Sequence, residues 1–202
     1  MSKLEYFYDF SSPYAYLANE EVERVAQAHG AEVAWRPFLL GGLFRQLGSS
    51  MVPINDASVS KRSFLNQDIR RWAEIRDLPL RWPSKFPVNS IRALRVALQL
   101  EGEERVRVSR AIFAAYWSAD IDISDAEALG AALDQAGFDA EALLAGCADP
   151  DVKARLFANT NEMFERGGVG APAFFVGDLH FWGQDRFEMV ERALQGWRPD
   201  GE

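Results

Sequence analysis

Sulfur and imidazole are scarce in this chain. One cysteine, Cys147, excludes an internal disulfide and a Cys-x-x-Cys redox pair, and two histidines, His29 and His180, leave little for a zinc site, so no metal is expected. Basic side chains are in the minority: 22 Lys and Arg against 30 Asp and Glu give a formal net charge of -8. That balance argues against general binding to nucleic acid or to an anionic membrane, while leaving room for a local basic pocket. No uninterrupted apolar run approaches the roughly 20 residues of a membrane helix. The first residues, Met1 to Tyr8, lack the apolar core of a signal sequence and read at once as a strand, so a cytoplasmic location is expected. Internal repeats and low-complexity tracts are missing too.

What is present is ordinary globular material: 202 residues, 48% hydrophobic, enough for one sizeable core or two small ones. Aromatic residues make up 12%, including six Trp, and can fill a core or line a pocket for a flat ligand. Cys147, within Leu143-Leu144-Ala145-Gly146-Cys147-Ala148, reads as a small buried residue rather than a nucleophile. The two histidines have no motif context and read as surface or satisfied side chains.

The chain is organised around Tyr8-Asp9-Phe10-Ser11-Ser12-Pro13-Tyr14, where a strand runs into a helix. Ser12 followed by Pro13 places a capping residue before the residue type favoured at the first helical position. The hydroxyl of Ser12 then sits at an electropositive helix end suited to an anion, whether phosphate, carboxylate or thiolate, or it simply caps the helix.

Leu4 to Phe10 predicts a central strand, apolar on both faces, and Pro13 to about Ala28 a single amphipathic helix ended by Gly30. Ala31 to Phe38 predicts a second strand, parallel to the first in a βαβ unit. Helical patterns then dominate to about residue 150: Ser58 to Asp77, a helix opened by Pro87, Glu103 to Trp117, one capped by Asp122 or Ser124, and a short one capped by Asp139. After Asp149-Pro150 a helix over 151–166 turns Val152, Leu156, Phe157, Met163 and Phe164 inward. A hairpin follows, Ala173 to Val176 and Leu179 to Phe181, and a last helix runs from about Gln184 to Trp197.

The order βαβ, helices, αββα, with a proline just before the third strand, is that of an α/β thioredoxin fold interrupted by an all-helical insertion. The expected units are residues 1–40 and 151–202 for the thioredoxin-like domain and 41–150 for the helical insertion domain. Phe10-Ser11-Ser12-Pro13-Tyr14-Ala15-Tyr16-Leu17-Ala18, Gly170-Ala171-Pro172 and Phe181-Trp182-Gly183-Gln184-Asp185-Arg186 resemble the 2-hydroxychromene-2-carboxylate isomerases and their relatives, the kappa-class glutathione transferases. Pro53-Ile54-Asn55, Lys61, Asp68, Arg71-Trp72-Ala73 and the stretch from Pro79 to Ser90 extend the likeness through the insert.

At the helix start, where redox thioredoxin folds hold Cys-x-x-Cys, Ser12-Pro13-Tyr14-Ala15 has no sulfur, which excludes protein disulfide exchange there. A helix end and a hydroxyl that stabilise a thiolate remain, so the thiol must come from outside. The resemblance implies glutathione as its source. Ser12 then meets the sulfur, although adjacent Ser11 leaves open which hydroxyl does so. Ala171, before a cis Pro172, pairs its backbone with the tripeptide. Asp185 suits the γ-glutamyl ammonium, with Gln184, Gly183 and the Trp182 backbone completing that subsite. Lys61 either meets the glycyl carboxylate or is a solvated lysine.

The resemblance also implies the reaction: thiolate addition to the conjugated chromene ring, ring opening, rotation and elimination, giving trans-o-hydroxybenzylidenepyruvate in naphthalene-type catabolism. For a flat aromatic carboxylate, Phe44, Trp82 and Phe86 are candidate walls, or merely packing. Arg45, Asn55 and Asn89 are candidate polar partners, Asn89 being equally a helix-start residue. Relatives suggest a homodimer. Two other readings stay open, a kappa-like transferase acting on other electrophiles and a non-catalytic glutathione-binding or scaffold protein.

Overall fold

The computed structural model describes residues 2–51 and 53–200, the side chains of Pro53 and Asn55 excepted. Four strands, β1 (Lys3–Tyr8), β2 (Glu32–Pro37), β3 (Ala173–Val176) and β4 (Leu179–Trp182), form one sheet in the order β2-β1-β3-β4. β1 is parallel to β2 and antiparallel to β3, and β3 is antiparallel to β4. The strand read as central is central, and both its faces are covered. Tyr6 stacks on Phe174 at 5.5 Å on one side, and Phe7 meets Phe175 edge-on at 5.4 Å on the other.

The helix expected over 13–28 is two helices, α1 (Pro13–Ala18) and α2 (Glu21–Ala28). Asn19 makes the break: its side-chain amide donates to the Tyr16 carbonyl, taking an acceptor that the next turn would use. β2 then leads into α3 (Leu40–Gln46), and a 3-10 turn (Pro53–Asp56) precedes α4 (Val59–Ile75). Next come α5 (Ile91–Gln99), α6 (Gly102–Trp117), α7 (Ala126–Gln135), α8 (Ala140–Gly146) and α9 (Pro150–Glu165), with α10 (Phe187–Leu194) closing the fold behind β4.

Three helix starts differ from expectation. α5 begins at Ile91 rather than Pro87, because Asn89 Oδ1 accepts from the Ile91 N–H and sets the first turn there. α7 is capped by Asp125, whose carboxylate takes the Ala128 N–H, while Asp122 and Ser124 bond each other and Lys85 instead. α10 starts at Phe187, after the turn that carries Gln184 and Asp185. On α9 the buried stripe is Val152, Leu156, Thr160 and Met163; Phe157 and Phe164 lie about a quarter turn off that stripe and are exposed. Asp139 caps α8 as expected.

The helical segment and the sheet share one core. Phe113 of α6 packs on Tyr8 and Phe10, and the fully buried Trp117 donates its indole N–H to the Phe10 carbonyl at 2.9 Å. Cys147 is buried, and burial pushes its thiol pKa up, as befits an inert sulfur. Among the described residues, no helix is long and apolar enough to cross a membrane.

Candidate active site

A cavity of about 520 Å³ opens where the β1–α1 turn, the loop before β3 and the β4–α10 turn meet the helical segment. Its floor is the start of α1. Ser12 caps that helix, its Oγ accepting from the Ala15 N–H at 3.2 Å, with Pro13 at the first helical position. The same hydroxyl donates to the Ala171 carbonyl at 3.0 Å, across the chain from the cis Ala171–Pro172 bond. A hydroxyl carries one hydrogen on a rotatable bond, so this donor can turn from Ala171 to an anion placed above it. The Ala171 N–H has no partner among the described residues and is free to bind an added extended segment.

Ser11 also lines the cavity, but its hydroxyl donates to Asp9 Oδ1 at 2.9 Å. Of the two adjacent serines, Ser12 therefore sits at the junction of helix start and cis-proline loop. That loop is joined to the β4–α10 turn by the Gly183 N–H, which donates to the Pro172 carbonyl at 3.1 Å. Gly183 has a φ of +116°, a backbone conformation in which any side chain is strained, so the turn favours glycine there. At Gly170 a Cβ would strike the Trp182 indole at 2.6 Å; the bare backbone lets Trp182 lie against the loop.

Around this floor the lining divides. Lys61 and Asp68 of α4 and Asp185 and Arg186 of the β4–α10 turn supply two cations and two anions. Gln184 lines the same side, nearly fully buried, with its Oε1 lacking any hydrogen-bond partner among the described residues. A buried amide oxygen without a partner is rare in a folded chain and marks this turn as unusual. Tyr14 also faces the cavity, and burial, then the charges of Asp68 and Asp185, raises its pKa. The rest of the lining is mostly apolar, and its wall includes Leu40 and Phe44 of α3, Met51, Ile54, Trp82 and Phe86. Trp82 and Phe86 pack at 5.1 Å from each other, and both contact Trp117.

Of the residues singled out from sequence, the structure brings together Ser12, Phe44, Lys61, Trp82, Phe86, Ala171, Trp182, Gly183, Gln184 and Asp185 in the lining, with Pro172 directly behind Ala171. It does not bring Arg45 or Asn89 there. Arg45 is exposed on α3, one residue past the inward Phe44, and Asn89 is exposed with its oxygen committed to the start of α5. The Asn55 side chain lies outside the described residues. Tyr14, Leu40, Leu65 and Arg186 were not foreseen. The spacing Lys61, Leu65, Asp68 was a usable signal, since positions i, i+4 and i+7 share one helix face.

The family model described as DSBA-like thioredoxin domain matches residues 3–195. A 2-hydroxychromene-2-carboxylate isomerase of Pseudomonas sp. (strain C18) is 30% identical over 98% of this chain and 93% of its own length. Human glutathione S-transferase kappa 1 is 28% identical over 95% of this chain and 90% of its own. Among solved structures, a selenomethionine 2-hydroxychromene-2-carboxylate isomerase superposes with a TM-score of 0.85 at 28% identity, covering 96% of this chain and 95% of that one.

Proposed function

Since the chain belongs to the DSBA-like thioredoxin domain family, and within it to the group of the 2-hydroxychromene-2-carboxylate isomerases, we propose that it is a glutathione-dependent isomerase interconverting 2-hydroxychromene-2-carboxylate and trans-o-hydroxybenzylidenepyruvate. The observation that carries this reading is the Ser12 hydroxyl held between the α1 start and Ala171 at the floor of a cavity lined by both charged and aromatic side chains. When bound, glutathione supplies a thiol that, as thiolate, adds reversibly to a conjugated ring and is regenerated.

The protein's part is to bind, orient and hold charge. Ser12 turns its hydrogen to the sulfur and favours the thiolate. The free Ala171 N–H pairs with the tripeptide backbone. Asp185, beside Gln184, receives the γ-glutamyl ammonium, and Lys61 the glycyl carboxylate. Phe44, Trp82 and Phe86 receive the flat ring and keep water from the reacting bond. The resemblance to catabolic isomerases supports a cytoplasmic homodimer acting in the breakdown of naphthalene-type aromatics.

A second reading, a kappa-like glutathione transferase, is favoured by the aromatic wall itself. With Arg45 and Asn89 directed elsewhere, that wall suits an uncharged electrophile as well as a carboxylate. An absorbance time course with 2-hydroxychromene-2-carboxylate, with and without glutathione, decides. Rapid glutathione-dependent approach to equilibrium is the expected result. Glutathione binding without conversion, followed by adduct formation with other electrophiles, would transfer the assignment to the second reading. Binding with neither reaction would leave a non-catalytic binding protein.

A further inference from the structure

Among the described residues Asp9 is the most deeply buried carboxylate, 1% exposed, and it lies beneath the cavity floor. Oδ1 accepts from both the N–H and the hydroxyl of Ser11, each at 2.9 Å, and Oδ2 accepts from the Leu40 N–H at 2.8 Å. The Ser90 hydroxyl lies close enough to the same carboxylate to lower its pKa. The Asp9 main-chain carbonyl takes the Ser12 N–H at 3.0 Å. Ser11 opens the turn into α1, Leu40 is the first residue of α3, and Ser90 directly precedes α5. Each of these three segments brings residues to the cavity: Ser12 and Tyr14, Leu40 and Phe44, Phe86 and Pro87.

We infer that Asp9 is a positioning residue for the reaction: it turns the Ser11 hydroxyl away from the sulfur site, leaving Ser12 alone to face it, and it pins the segments that set the distance from Ser12 to the aromatic wall. This inference rests on the glutathione reading above. A carboxylate that only ended its own strand would serve one segment. Asp9 joins three that are far apart in sequence, at the one place where thiol and ring must meet.

The chemistry of the substitution Asp9→Asn makes the inference testable. The two main-chain donors, Ser11 and Leu40, approach different oxygens and cannot be reversed. Whichever way an amide is turned, its NH2 group faces one of them. The turn that orients Ser12 or the start of α3 must then move.

The experiment measures, for wild type, Asp9→Asn, Ser11→Ala and Ser12→Ala, the turnover number against pH and the ionisation of the bound glutathione thiol by ultraviolet absorbance. Thermal melts report folding, and a crystal structure of Asp9→Asn reports geometry. For Asp9→Asn we expect a turnover number lowered roughly ten- to hundredfold at neutral pH, partly recovered at higher pH because the bound thiol ionises later, with a cooperative melt retained. Ser11→Ala keeps both main-chain donors and loses far less than Ser12→Ala. An unchanged pH profile in Asp9→Asn, or Ser12 Oγ still bonded to the Ala171 carbonyl and the α3 start unmoved in its crystal structure, overturns the inference. So does Ser11→Ala matching Ser12→Ala, which would make Ser11 the donor to sulfur. If the wild type neither binds nor ionises glutathione, the functional reading fails, and the crystal structure alone decides whether Asp9 positions Ser12.

Discussion

The floor and the wall of the cavity are built by different means. The floor is hydrogen-bonded at every turn: Ser12 to Ala15 and Ala171, Ser11 to Asp9, Gly183 to Pro172. In the wall the rings of Trp82 and Phe86 lean on Trp117, with no side-chain hydrogen bond to fix them among the described residues. Directional bonds hold an atom to a fraction of an ångström, as a reacting sulfur requires; ring packing holds a shape and tolerates exchange of one apolar group for another. The floor is thus suited to one chemistry and the wall to the choice of substrate. Trp117 joins them, bonding the Phe10 carbonyl while bearing on Trp82 and Phe86.

The sharpest way to break this division is Ser12→Ala. Loss of one hydrogen bond to an anion costs about 1.5–3 kcal/mol, so kcat/KM should fall roughly ten- to a hundredfold. Loss of the α1 cap should cost about 0.5–2 kcal/mol of stability, read in a denaturant titration. A loss of stability with no loss of rate would reduce Ser12 to a cap.

Next in size is Phe86→Ala in the wall. Removing its ring contacts forfeits about 0.5–1.5 kcal/mol, raising KM for the aromatic substrate up to about tenfold while the glutathione KM holds. Steady-state kinetics with each substrate varied in turn check this, and a fall in kcat as large as that of Ser12→Ala would show that wall and floor do not act separately. Asp185→Asn, at a half-exposed position on the rim, should weaken glutathione by about 0.2–1 kcal/mol, up to roughly fivefold in its KM, with kcat unchanged.

The last effect concerns pH. Burial raises the Asp9 pKa against the hydrogen bonds that lower it. A carboxyl whose folded pKa is raised contributes stability that is fully present below its unfolded pKa and is lost as pH climbs through the folded one. Wild-type stability should therefore decline over that interval, by at most about 1.4 kcal/mol per pH unit, and Asp9→Asn should lack this component whatever its absolute stability. Parallel stability-against-pH curves for the two proteins would contradict it.

The floor was more legible in the sequence than the wall, for a physical reason. Ser12-Pro13, Gly170-Ala171-Pro172 and Gly183-Gln184-Asp185 are local patterns whose backbone consequences follow from capping, the proline ring and a positive φ, and the structure sets all three around one cavity. The wall is made by packing over long sequence distances. Phe44 and Arg45 are neighbours in sequence, yet only the pitch of α3 decides that the ring enters and the guanidinium does not. Asn19 escaped in a similar way, ending a helix through one side-chain bond that hydrophobic periodicity does not register, whereas Asn89 starts α5 as one of its two readings allows. Asp9 falls within the strand predicted over Leu4 to Phe10, although an Asp just before a turn can accept from the main-chain N–H two residues on, as it does from Ser11.

The measurement that tests the central claim most directly replaces glutathione by S-methylglutathione in the isomerisation assay, with binding followed by calorimetry. If Ser12 exists to hold a reacting thiolate, the methylated tripeptide binds through Ala171, Gln184 and Asp185 and supports no conversion. Conversion at the glutathione rate with the sulfur blocked, or with no tripeptide at all, would contradict the account.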